Sequence, residues 1–239
     1  MFKKFFYGAL VLLALAYVFR ERSSQSHGSS VAHEHISEEF HSLNILGNFN
    51  VFISESDEYM YKVISQDKDS EDIDIYLKDQ TLYIKPSKNS WYQYNPKDID
   101  INVSAPELRR IIANGAVNLQ TQGPIKSDEL ELVLSGASEG NVEIDVEEFI
   151  FQSSGASDVK MEGKAYQAQM KVSGAGEIKA FDLLLEKLYL QISGAGHAEV
   201  NVFQELDVHV SGAGSVKYQG NPSEISQQVS GAGSVRKVR

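Results

Sequence analysis

The chain has 239 residues and a formal charge of −11, and so acidic a surface excludes the phosphate-seeking chemistry of nucleic-acid binders. It has no cysteine, which excludes disulfides, thiolate metal sites and a lipid-bearing cysteine. Hydrophobic content of 42% and charged content of 23% are those of a globular chain long enough to bury a substantial core.

Met1 to Phe19 reads as a targeting segment. Lys3 and Lys4 supply a positive start, Phe5 to Ala16 is apolar apart from Tyr7 and Gly8, and Ala14-Leu15-Ala16 offers a small-x-small cleavage site. Tyr17, Val18 and Phe19 extend the apolar run to Arg20, so residues 1–19 are either a cleaved signal peptide or a retained anchor formed by residues 5–19. The run is shorter than the ~20 residues that cross a bilayer.

Residues 20–39 are rich in Ser, His and Glu and lack periodicity, which predicts a flexible polar tether. His27, His33, His35 and His41 have the ligand chemistry for a transition metal. No rigid scaffold fixes them, so a solvated spacer without metal or cofactor is expected.

From Phe40 the chain turns to short alternating runs, and residues 40–239 form the predicted folded domain. Phe49 to Ile53, Tyr59 to Ile64, Ile73 to Leu77, Thr81 to Ile84 and Ile99 to Val103 alternate with period two and are rich in β-branched and aromatic side chains. Ser87 to Lys97 interrupts them with a longer loop that carries Trp91, Tyr92 and Tyr94. Those rings either stack on a ligand such as a sugar face or fold back over the sheet. They are the candidate ligand-binding residues.

The second half is organised by a repeat. Ser-Gly-Ala-Gly recurs at Ser173-Gly174-Ala175-Gly176, Ser193-Gly194-Ala195-Gly196, Ser211-Gly212-Ala213-Gly214 and Ser230-Gly231-Ala232-Gly233. Weaker copies stand at Ser135-Gly136-Ala137-Ser138 and Ser154-Gly155-Ala156-Ser157, and a more divergent one at Asn114-Gly115-Ala116. From Ser135 the serines step by 19, 19, 20, 18 and 19 residues, the mark of stacked layers. The residues one and three before most of the serines are apolar, as in Met170 and Val172 or Val208 and Val210. The residue between is usually polar, as in Gln152, Lys171, Gln191, His209 and Gln228. A second alternation follows each corner, and a third apolar run completes the period. Phe181 to Leu190 would score as helix alone, but its phase in the repeat assigns it to strand.

These features predict an all-β chain, a parallel, right-handed β-helix with coils of about 19 residues. Layers about 4.8 Å apart leave little room at a repeated bend. Glycine is expected to supply positive φ and close approach, alanine to fill a small inward space, and serine to hydrogen-bond along the stack. A phosphate-cradling loop needs a following helix and usually a lysine, and calcium-binding glycine repeats need aspartates in a nine-residue unit. Neither is present.

On Gly47-Asn48-Phe49-Asn50-Val51, on Val103 to Leu108 leading into Asn114-Gly115-Ala116, and on the Ser-Gly-Ala-Gly series, the chain resembles the auto-transporter adhesin head GIN domain family, from about Phe40 to its end. The resemblance implies a β-helical fold at the bacterial cell envelope and a role in adhesion, with no catalytic residues to carry over. It departs from true autotransporters, which end in a membrane barrel, whereas Arg239 follows closely on the last repeat. The adhesin label is therefore an analogy of fold.

The expected function is a non-enzymatic binding or adhesion module of the periplasm or cell envelope, taking a polysaccharide or a surface protein. Membrane contact is expected only through the N-terminal segment. One alternative is a self-associating envelope scaffold, because terminal coils expose strand edges, which the basic Val235 to Arg239 would guard. The other is a polysaccharide-acting enzyme, for which Asp145, Glu147 and Glu148 are the available carboxylates.

Overall fold

The computed structural model describes residues 30–36, 38–66, 73–87 and 99–238. The leader, most of the tether and the aromatic loop with Trp91, Tyr92 and Tyr94 lie outside the described residues. The sheet lies in the compact unit Val31–Arg239. It is a parallel β-solenoid of about six turns, with no helix among the described residues. Phe181 to Leu190 is strand, the repeat phase having overruled local helix propensity.

After β1 (Ser30–Ile36), the first coil is β2 (Ser42–Gly47) and β3 (Asn50–Glu55). The chain then moves outward through β4 (Met60–Gln66), β5 (Ile73–Lys78), β6 (Thr81–Pro86) and β7 (Ile99–Ala105). It returns on the other side of the first coil as β8 (Arg110–Gly115) and β9 (Asn118–Thr121). Thus β2 is flanked by β6 and β8, and β3 by β7 and β9, all parallel. Sequence order and stacking order differ here, which the repeat did not reveal. The crossing is held at His41, whose carbonyl accepts the Arg109 amide at 2.8 Å. The Arg109 guanidinium is hydrogen-bonded to Glu107 and holds its carboxyl below the usual carboxylate range. His41 itself is tied to Glu39 Oε1 at 2.9 Å through Nε2.

Two antiparallel strands cover this end of the stack, β5 against β6 and β4 against β7. The β5–β6 hairpin turns through Asp79 and Gln80, both with positive φ (49° and 55°), the geometry of a type I′ turn made without glycine.

From Ile125 onward the layers follow sequence order: β10 (Ile125–Gly174), β11 (Glu177–Gly194), β12 (His197–Gly212), then β13 (Ser215–Gln219), β14 (Glu224–Gly231) and β15 (Ser234–Lys237). Register places Met170 beside Leu190 and Leu190 beside Val208, and Val172 beside Ile192 and Ile192 beside Val210. These side chains are buried with Phe149, Phe151, Leu132 and their equivalents in one continuous apolar column. Each strand therefore drives its alternate residues into a core that the layer above and below completes.

The corner glycines stack in register, Gly174 on Gly194, Gly194 on Gly212 and Gly212 on Gly231. At Gly174 φ is +114°, and an added Cβ would lie 2.4 Å from the carbonyl oxygen of Gly155, which no L side chain can accommodate. One expectation needs correction. Ala175, Ala195 and Ala213 are exposed, and the buried residue is the next one: Gly176, Gly196 and Gly214, or Ser138 and Ser157 in the weaker copies. Counting in twos from the buried Val172 passes through Gly174 to the buried Gly176, so the alanine between them points outward. At Gly214, in the fourth position of the corner, the inward space is smaller than a methyl group. A Cβ on Gly214 would lie 2.8 Å from Ile192 Cγ2. Where serine occupies that position, Ser157 Oγ is hydrogen-bonded to the buried Ser153 Oγ. Along the outside of the corner, Ser135 Oγ meets Ser154 Oγ at 3.0 Å.

Candidate functional site

The strand that enters each corner presents its inward residues to the core and its outward residues as columns that run along the stack. Over β10, β11 and β12 those columns change character. Gln167, Lys187 and Glu205 align in one, Gln169, Tyr189 and Asp207 in the next, and Lys171, Gln191 and His209 in the third. A shallow groove of about 480 Å³ crosses them, reaching down to Ala168 and Leu188 between the columns.

The groove is polar but not uniformly charged. Tyr189 and His209 are diagonal neighbours with ring centroids 5.5 Å apart. His209 Nε2 lies 3.2 Å from Asp207 Oδ1. That oxygen is shielded from solvent, and the contact lacks hydrogen-bond geometry. Lys187 reaches Glu205 at 3.8 Å on one side and lies 6.0 Å above the Tyr166 ring on the other. Tyr166 and Phe203 are 46% and 43% exposed, and both sit just before the strand segments that form the groove. Amide side chains that both donate and accept, beside half-exposed aromatic faces, can hold a polyhydroxylated ligand in several orientations. The opposite charges of Lys187 and Glu205 already face each other and leave a single added anion or cation less to gain there.

Trp91, Tyr92 and Tyr94 lie outside the described residues. Of the candidate acids, Asp145 is engaged by Lys164 at 3.3 Å, and Glu147 and Glu148 are exposed beside each other where the in-and-out burial alternation is interrupted. The corner residues Ser173, Gly174, Ser193, Gly194, Ser211 and Gly212 edge the strands of the groove but do not line it. Among the described residues no group of three or more His, Asp or Glu side chains could hold a metal ion, and no helix is long and apolar enough to cross a membrane. Sequence reading noted Lys171, Gln191 and His209 only as the polar side of an alternation, and missed Tyr189 and Asp207. The signal lay in aligning the repeats column by column.

Several crystal structures share this fold. A putative adhesin from Bacteroides fragilis superposes with a TM-score of 0.83 at 24% identity, covering 88% of this chain and 97% of its own. A putative adhesin from Parabacteroides distasonis gives 0.69 at 19%, covering 89% and 98%. A protein from the same species, described as a putative lipid binding protein, gives 0.65 at 21%, covering 89% and 98%. No curated protein sequence matches the chain. Residues 39–222 match the family described as "Putative auto-transporter adhesin, head GIN domain". The chain belongs to that family.

Proposed function

We propose that the protein is a non-catalytic binding module of the bacterial cell envelope, which holds a neutral or mixed-charge polysaccharide on the outward face of its coils. The observation that carries this reading is the groove in which Gln169, Gln191, Tyr189 and His209 project from stacked strands. Parallel layers set successive polar and aromatic side chains about 4.8 Å apart along the stack, a fixed array suited to an extended polymer rather than to one small molecule. The adhesin descriptions of the family and of its relatives agree with a surface or exported role, for which residues 5–19 would serve as signal or anchor.

The test is binding of the purified chain to envelope polysaccharides, compared with a Gln169→Ala, Tyr189→Ala double variant. Loss of one stacking ring and one amide is expected to weaken binding by about tenfold or more, since aromatic anchors dominate such surfaces. Binding equal to that of the unaltered chain would overturn the groove reading. A variant with Trp91, Tyr92 and Tyr94 replaced by alanine tests the loop independently. Turnover of an acidic polysaccharide by the unaltered chain would instead favour an enzyme.

A further inference from the structure

Among the described residues β14 and β15 form the outermost layer at this end of the stack, made like the others but not covered like them. Register sets Ile225 beside Leu206, Gln227 beside Val208 and Val229 beside Val210, so these three occupy the inward phase. Leu206 and Val208 are fully buried, yet Ile225 is 49% and Val229 43% exposed, and every residue of β14 is exposed. Only β12 pairs with β14 among the described strands. An edge of eight residues carrying half-exposed apolar side chains is a template for strand addition.

We propose that β14 pairs antiparallel with β14 of a second copy, about a two-fold axis through Gln227. The sequence of the strand selects this register. Antiparallel pairing keeps inward residues opposite inward residues only if the axis passes through a residue rather than between two. Centred on Gln227, Ile225 faces Val229 of the other copy at both ends, so the apolar side chains cover each other. Ser226 faces Gln228, Glu224 faces Ser230, and Gln227 faces itself, able both to donate and to accept. No like charges meet. Shifting the axis to Ser226 leaves Val229 opposite Ser223, and shifting it to Gln228 leaves Ile225 opposite Gly231. The basic residues Arg236 and Lys237 lie on β15, where Lys237 Nζ is bonded to Asn221 Oδ1 at 2.7 Å, away from the proposed axis. A contact that uses the same strand on both copies closes on itself and gives a dimer rather than a filament.

The absence of cysteine from the chain makes single cysteines clean reporters. Residues on the axis of an antiparallel pair have Cα atoms about 4.5–5.5 Å apart, within the span of a disulfide. Under mild oxidation, Gln227→Cys is therefore expected to run as a covalent dimer. Ile225→Cys alone is expected to remain uncross-linked, and to cross-link when mixed with Val229→Cys. Light scattering of the unaltered full chain should give twice the chain mass, and Ile225→Lys should halve it while leaving the β-sheet circular dichroism unchanged. A monomer at every concentration, an open-ended assembly, or cross-linking of Ile225→Cys to itself would each overturn the proposal.

Discussion

The two ends of the stack face the same physical problem and differ in how it is met. At the β6–β7 end, Leu82 and Ile84 belong to the outermost parallel layer and are nonetheless 1% and 0% exposed, because β5 and β4 run back antiparallel along its edges. At the β14–β15 end, Ile225 holds the same inward phase and remains half exposed. The difference teaches that inward phase in a solenoid does not guarantee burial. A covering layer does, and at the first end the chain makes one by reversing direction.

The largest effect is expected at the corners. Gly174→Ala places a Cβ against the Gly155 carbonyl, at a φ that costs about 1–3 kcal/mol for a non-glycine residue even without the clash, in a layer clamped on both sides. A total of about 4 kcal/mol would lower the melting temperature by roughly 8–16 °C in a domain of this size. Gly231→Ala creates nearly the same local clash, 2.5 Å from the Gly212 carbonyl, but in the terminal layer, which can relax by fraying. Its melting shift should be a small fraction of that for Gly174→Ala. Equal shifts would mean the terminal layer is held as firmly as the interior.

A second pair probes burial directly. Leu82→Ala should cost about 2–5 kcal/mol, as for a core leucine, although Leu82 lies in the outermost parallel layer. Ile225→Ala removes a side chain that keeps half its surface in water, and should cost about 1 kcal/mol or less in the isolated chain. Urea denaturation at low protein concentration separates the two. An Ile225→Ala cost that grows with protein concentration would point to the second copy as the missing cover.

Much of this architecture was legible because the repeat carries it. The serine spacing gave the coil length, and Met170, Val172 and their equivalents gave the inward face, enough to override the helical look of Phe181 to Leu190. Two things were not legible, each for a physical reason. The placing of β2 between β6 and β8 is decided by long-range pairing, and every alternating strand looks alike locally. The outward position of Ala175, by contrast, was legible, because counting in twos from Val172 puts Ala175 outside and Gly176 inside. The groove depends on Gln169, Tyr189 and Asp207 becoming neighbours across layers, so no single stretch of sequence contains it.

The smallest effect, and the only stabilising one, tests how tightly the covered end is closed. Asp79 and Gln80 both adopt left-handed φ in the two-residue turn that folds β5 back onto β6. That conformation costs an ordinary L residue about 1–2 kcal/mol, whereas glycine adopts it freely but loses more entropy on folding. The backbone bonds from the His41 and Ser42 amides to the Gln80 carbonyl, at 3.0 and 3.2 Å, do not depend on its side chain. Gln80→Gly should therefore relieve strain and keep these anchors, with a net gain of about 0.5–1 kcal/mol. Hydrogen exchange should detect it as slower opening of β5 and β6 amides, with β14 unchanged. Slower exchange at both ends would mean that the two covers are coupled through the stack. No slowing at β5 would mean that closure of this end is limited by the β5–β6 side-chain contacts, such as the Tyr76 and Tyr83 rings stacked 5.0 Å apart, rather than by the turn.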